Sequence, residues 1–219
     1  MKVELVSHSI PTAELMAAGV TDLQELVAYC ARISNPGNQY NTETSEKLLK
    51  YLLKHRHFSP FEMASVCCSI ETTRDIARQI LRHRSFSFQE FSQRYAVADL
   101  GIEYKEARLQ DTKNRQNSID TNDIALATEW ERKQAQVVQA SKQAYDWALS
   151  NGIAKEQARA VLPEGITASR LYMQGTLRSW LHYIELRSGP ETQKEHREVA
   201  KACAEVISKI FPLASTLVD

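Results

Sequence analysis

The chain reads as an α+β protein built as one domain over residues 1–219, with its most polar segment near the middle. Three observations carry that expectation. Segments with helical apolar spacing dominate, while strand-like runs are few and short. A length of 219 residues with 43% hydrophobic content is enough for a real core. No linker, internal repeat or low-complexity tract divides the chain.

The elements follow in order. Lys2 to Ile10 alternates as a strand and is closed by Pro11. Asp22 to Ile33 has Leu23, Leu26, Val27 and Cys30 on one helical face and ends at Asn35-Pro36-Gly37. Thr42 to His55 repeats the pattern, with Leu48, Leu49, Leu52 and Leu53 as its buried side. Met63 to Ile70 is β-like, rich in Val, Cys and Ser. A helix is expected from Thr72, where Thr72-x-x-Asp75 has the form of a capping box. Its apolar stripe is Ile76, Ala77, Ile80 and Leu81, and Arg78, Gln79 and Arg82 form its polar side. Glu103 to Leu109 is a short candidate strand, and the polar run Asp111 to Asn122 reads as a solvated loop. Helices are expected over Asp123–Ser150, Ala154–Val161 (stopped by Pro163), Thr176–Arg187 and Glu191–Ile210.

Composition narrows the function. There are 27 basic and 27 acidic residues, for a formal net charge of zero. Proteins that grip nucleic acid along its backbone carry a basic excess, so a cationic segment here points to a small anionic ligand. The four cysteines form no C-x-x-C. Cys67 and Cys68 are adjacent, and Cys30 and Cys203 stand alone, so all four are expected as buried free thiols. His55-x-His57 has no matching cluster, and no metal is expected. Neither a leader-like start nor a long apolar run is present, which points to a cytoplasmic protein with no membrane contact. With only seven glycines, the chain holds neither G-x-G-x-x-G nor a P-loop, so side chains must hold any phosphate.

The segment that carries chemistry runs from Arg82 to Tyr95, Arg-His-Arg-Ser-Phe-Ser-Phe-Gln-Glu-Phe-Ser-Gln-Arg-Tyr. Packing alone does not call for cations, hydroxyls, amides and one carboxylate so close together. Guanidinium forks bind phosphate bidentately, and amides and hydroxyls read the edges of heterocycles, so the segment reads as a nucleotide site.

Arg82, His83, Arg84, Ser87, Ser92 and Arg94 match every fixed position of R-H-R-x-x-S-x-x-x-x-S-x-R, the signature of the flavin-dependent thymidylate synthases. The resemblance extends along the chain. His57-Phe58-Ser59-Pro60-Phe61-Glu62 resembles the family's H-x-[ST]-P-F-E, Arg159-Ala160-Val161-Leu162-Pro163 its R-x-x-L-P, and Arg178 to Arg187 its last ligand-binding helix. Two positions depart from the pattern: Thr176 and His182 stand where many or some relatives have Asn.

The resemblance implies a central, mostly antiparallel sheet flanked by helices, and a homotetramer with active sites shared between chains. It implies reductive methylation of dUMP to dTMP, with methylenetetrahydrofolate as carbon donor, FAD reduced by NADPH as hydride source, and tetrahydrofolate released. For dUMP it implies Gln79, Ile80, Leu81, Arg82, Glu90, Phe91, Ser92, Gln93, Arg94, Arg159 and Arg187. For FAD it implies Ser59, Arg82, His83, Arg84, Glu90, Thr176, Leu177, Arg178 and His182. Arg187 takes the catalytic role, stabilising the uracil anion formed when N3 loses its proton, and no cysteine acts as nucleophile. Ser85, at a variable position of the signature, is expected to act through its backbone.

The geometry of the last helix agrees with a divided role. Arg178 and His182 are one turn apart and share a face. Arg187 follows Arg178 by two and a half turns at about 100° per residue, which puts it on the opposite side. Two rival readings remain at this point: a nucleic-acid-binding module that stacks bases on the phenylalanines, and a flavoprotein of the same fold with another substrate.

Overall fold

The computed structural model describes residues 1–98 and 101–218. Four antiparallel strands form its sheet: β1 (Lys2–His8), β2 (Ser65–Thr73), β3 (Ser87–Glu90) and β6 (Ala168–Thr176), in the order β1-β2-β6-β3. Strands β4 (Arg108–Gln110) and β5 (Ser118–Asp120) make a separate hairpin. The helices are α1 (Ala13–Ala17), α2 (Leu23–Ala31), α3 (Ser45–Lys54), α4 (Arg74–Ile80), α5 (Ile124–Ser150), α6 (Lys155–Ala158), α7 (Leu177–Arg187) and α8 (Lys194–Ser208). The α+β class and the antiparallel sheet agree with expectation.

Alternation sets the faces. Val66, Cys68 and Ile70 of β2 and Leu171 and Met173 of β6 are at most 1% exposed and point into one core. Trp180, Tyr183 and Ile184 of α7 and Val199, Cys203 and Ile207 of α8 fill the other side of that core. On the opposite sheet face, Arg170, Tyr172 and Gln174 of β6 and Gln89 of β3 are exposed in the single chain. The indole of Trp180 donates to Val66 O (2.9 Å), so its buried N–H is satisfied. A smaller cluster of Tyr145, Ala148 and Ala158 packs where α5 meets α6.

Several elements differ from the sequence expectation. β2 starts at Ser65, since Met63 belongs to a 3-10 turn (Ser59–Met63), and it runs on through Thr73. The capping box at Thr72 does not form, because Thr72 and Thr73 pair with Ser169 and Ala168 of β6 and α4 begins only at Arg74. The Thr73 hydroxyl instead donates to Asp75 Oδ1 (2.5 Å). The expected loop from Asp111 to Asn122 contains β5, whose partner β4 overlaps only the end of the run from Glu103 to Leu109. The expected helix Ala154–Val161 divides into α6 and a 3-10 turn (Arg159–Val161), and the last helix is shorter than Glu191–Ile210. Strands β3 and β6 and the short α1 were not expected at all. Cys68 and Cys203 are buried as expected, but Cys30 and Cys67 are only half-buried. No helix among the described residues is long and apolar enough to cross a membrane.

Two strand-to-helix junctions position the chemistry. β2 passes directly into α4 at Thr73–Arg74, and β6 passes directly into α7 at Thr176–Leu177. Ser65 pairs with Thr176 and Thr73 with Ala168, so α4 and α7 leave opposite ends of the same strand pair. Both pack back on the core face of the sheet, and the turn that follows α4 meets the C-terminal end of α7, where His83 accepts from Arg187.

Candidate active site

The signature begins as α4 ends. Leu81 caps the helix, the next residues turn, and Ser87 to Glu90 become strand β3 on β6. Phe86 anchors the turn: it is 9% exposed and packs edge-on against Trp180 at 4.9 Å between ring centroids. Its ring also lies over Gly175, where an added Cβ would meet Phe86 carbons at 2.5 and 2.8 Å. Gly175 therefore leaves the room in which the signature docks.

A cavity of about 810 Å³ opens beside the first turn of α7. Phe58 and Leu186 supply apolar wall, and Ser85, Thr176, Arg178, Ser179 and His182 supply polar groups. Thr176 N-caps α7, its hydroxyl accepting from Ser179 N (3.3 Å), a task its short side chain shares with the Asn of relatives. Ser179 Oγ donates to Ser85 O (3.1 Å), which ties the signature backbone to α7 as expected for Ser85. Arg178 pairs with Glu62 of the Ser59-Pro60-Phe61-Glu62 segment, and Arg56 with Glu185 at 3.7 Å. Size and lining fit a flavin nucleotide: the volume is that of a cofactor pocket. Arg178 at a helix N-terminus suits a phosphate, and Glu62 and Glu185 can accept from sugar hydroxyls.

Arg187 leaves α7 on another side, as its phase predicts. Its Nε–H donates to His83 Nε2 at 2.9 Å. Arginine has no acceptor, so His83 is neutral, with its ring proton on Nδ1. Burial first, then the charges of Arg187, His182 and Arg82, lower the His83 pKa from 6.5 to about 4. Tyr183 supports the ring edge-on at 4.9 Å between centroids.

A third group surrounds Glu90. Arg74 (side chain 5% exposed) reaches Glu90 Oε1 at 3.4 Å, and Ser169 Oγ donates to the same oxygen at 2.8 Å. Glu164 bridges Arg74 and Arg78, each at 3.2 Å. A fourth group joins two arginines far apart in sequence: Arg94 pairs with the Glu156 carboxylate (3.5 Å), and Arg159 donates to the Glu156 carbonyl (3.3 Å).

Some candidate residues take other places. Ile80 and Leu177 are fully buried in the core, and Gln93 is 4% exposed, so their side chains do not face a ligand in the single chain. Any contact from Ile80 or Leu177 would have to come from backbone. Leu81 and Phe91 are half-buried, whereas Ser59, Arg82, Arg84 and Ser92 are exposed. Arg74, Ser169 and His196 lie behind the site without having been singled out in sequence. Only the place of Arg74 one helical turn before Arg78 could have suggested it.

The cysteines lack thiolate character. Burial pushes the Cys68 thiol up to about 12 and Cys203 well above its ordinary value, and also raises Cys30 and Cys67.

Comparison with known proteins agrees with these features. Residues 15–213 match the family model described as thymidylate synthase complementing protein. A protein of Paramecium bursaria Chlorella virus 1, named a probable flavin-dependent thymidylate synthase, is 47% identical over 219 residues, covering all of this chain and 99% of its own. The flavin-dependent thymidylate synthase of a Synechocystis strain is 50% identical over 194 residues, 89% of this chain and 88% of its own. Among solved structures, the UMP/dUMP methylase PolB of Streptomyces cacaoi, bound with 5-Br dUMP, superposes with a TM-score of 0.82 at 27% identity, over 99% of this chain and 93% of that one. The nucleic-acid-binding alternative finds no support in these relatives. The chain belongs to the family of flavin-dependent thymidylate synthases.

Proposed function

We propose that this chain converts dUMP to dTMP in the cytoplasm, taking the carbon from methylenetetrahydrofolate and releasing tetrahydrofolate. FAD, reduced by NADPH, supplies the hydride when bound. The observation that carries the assignment of roles is the pairing of Arg187 with a neutral imidazole. Arg178, Arg94, Arg74 and Arg78 each pair with a carboxylate, which spends much of their field locally. Among the described residues Arg187 pairs with none, and His83 orients its fork without cancelling its charge. A fixed cation of that kind stabilises negative charge developing on the uracil ring once N3 is deprotonated, which makes C5 the carbon nucleophile.

Arg82, Glu90, Ser92, Arg94 and Arg159 would hold the nucleotide, with Gln79 reading the ring. The Glu90 carboxylate is already oriented by Arg74 and Ser169 and needs little rearrangement to accept from a donor. Ser59, Arg84, Thr176, Arg178 and His182 would hold the cofactor around the cavity. In the proposed assembly, a homotetramer, the two sides of α7 serve sites shared between chains; sedimentation equilibrium gives the chain number directly.

The test is turnover with dUMP, methylenetetrahydrofolate, FAD and NADPH, with UMP run in parallel. Arg187→Ala should lower dTMP formation about a hundredfold, on the order of 3 kcal/mol of transition-state stabilisation. FAD binding and NADPH oxidation by oxygen should survive. Arg187→Lys should restore activity only in part, because a point charge does not reproduce a planar fork. Flavin loss parallel to the loss of dTMP formation would make Arg187 a cofactor residue and move the catalytic role to Arg94 or Arg159.

A further inference from the structure

Behind Arg187 a chain of side-chain hydrogen bonds runs through the interior from α7 to α8. Arg108 donates to Glu195 (2.5 Å), and Gln193 Nε2 to the other Glu195 oxygen (2.9 Å). Gln79 Nε2 donates to Gln193 Oε1 (2.8 Å). Gln79 Oε1 lies 3.2 Å from His196 Nδ1, and His196 Nε2 lies 3.1 Å from the Tyr183 hydroxyl. His196 and Tyr183 are both 0% exposed.

The polarity of every link follows from one end. Burial opposes ionisation of Glu195, but its own backbone N–H, Gln193, Arg108 and Lys105 outweigh it and keep the carboxyl below its ordinary range. A carboxylate only accepts, so Gln193 must turn its nitrogen toward Glu195 and its oxygen toward Gln79. Gln79 must then donate to Gln193 and present its oxygen to His196. His196 must carry its proton on Nδ1, which leaves Nε2 to accept from Tyr183. The chain therefore has a single consistent direction, and it fixes both the tautomer of His196 and the orientation of the Gln79 amide.

Gln79 has one N–H and one lone pair left over, the complement of a uracil edge that presents a carbonyl beside an N–H. We propose that His196 is a positioning residue for the pyrimidine nucleotide, clamping the Gln79 amide from the core side while Gln193 clamps it from the other. The inference rests on the reading above that Gln79 contacts dUMP. Without His196 the amide keeps one tether, its oxygen loses its partner on the core side, and its free donor and acceptor no longer point in a set direction.

The two ring nitrogens can be separated by substitution. His196→Asn places an amide N–H near the Nδ1 position and keeps the bond to Gln79. His196→Gln reaches the Nε2 position, keeping Tyr183 and losing Gln79. Titration of dUMP into FAD-saturated protein should show affinity within about twofold of wild type for His196→Asn and a loss on the order of tenfold for His196→Gln. FAD affinity should be unmoved in both, a split that a general loosening of the core would not give. Gln79→Ala should lose as much as His196→Gln, and the double variant no more, since the two act as one unit. If Gln79→Ala weakens dUMP but His196→Gln does not, or the two losses add, the positioning role is wrong while the Gln79 contact stands. If Gln79→Ala binds dUMP like wild type, the contact itself fails and the inference fails with it.

Discussion

Acidification should weaken the fold through the same histidine. His196 titrates at about 3 in the folded chain against 6.5 when free, because burial first, and then the charges of Arg187 and His83, disfavour the imidazolium. The sign follows from proton counting. Between the two values the unfolded chain binds a proton that the folded chain refuses, so the unfolded state gains as pH falls and stability rises with pH. The contribution is fully present above 6.5 and is lost progressively down to about 3. Integrated from pH 7 to pH 4.5, this one group removes about 2–3 kcal/mol, a large share of the stability of an ordinary domain.

The measurement compares chemical denaturation at the two pH values for wild type and His196→Asn. The variant carries no titrating ring at the position, while His83 remains in both proteins and cancels in the difference. The stability drop on acidification should be smaller in His196→Asn by about 2–3 kcal/mol, whatever the variant costs at pH 7. Equal drops in the two proteins would show that His196 takes up its proton in the fold as easily as in water, and the neutral tautomer deduced from the hydrogen-bond chain would then be untenable.

Two further outcomes are expected. Gly175→Ala should destabilise by about 1–3 kcal/mol as the new methyl displaces the Phe86 ring, and should weaken FAD binding because Ser85 beside it lines the cavity; an alanine variant as stable as wild type would mean the ring moves aside freely. Replacing Cys30, Cys67, Cys68 or Cys203 singly by Ala should leave turnover intact and tetrahydrofolate as the released folate; lost turnover in a folded variant that still binds its ligands, or stoichiometric dihydrofolate, would point to a thiolate mechanism instead.

How far the sequence reached depended on whether a signal was local. The helical stripes of α2, α3, α5 and α8 stood out because one face of each repeats within its own span. β6 was overlooked although it alternates, with Ser169, Leu171, Met173 and Gly175 inward and Arg170, Tyr172 and Gln174 outward. Apart from Thr176 at its end it lacks the β-branched residues that advertise a strand, and what holds it is pairing on both sides with segments roughly a hundred residues away. β3 was hidden differently: Ser87-Phe88-Gln89-Glu90 is short and mostly polar, and only the ladder to β6 makes it a strand. At Thr72 a local capping pattern competed with a ladder, and the ladder prevailed because it satisfies the backbone of both threonines.

The candidate site divides along the same line. Its motif residues were legible because they are contiguous; their supports were not, because they come from other elements. Arg74 reaches Glu90 from α4, Ser169 reaches it from β6, and His196 reaches Gln79 from α8. Arg187 shows why this matters chemically. Sequence alone could place its guanidinium on the far side of α7 from Arg178, but not say what it meets there. Had it met a carboxylate, as Arg178 meets Glu62, its charge would be largely spent. It meets His83, and His83 stays neutral because it is buried among cations. The imidazole fixes the direction of the fork without cancelling its charge, and that arrangement belongs to the packing of the turn after α4 against the end of α7 and not to any motif.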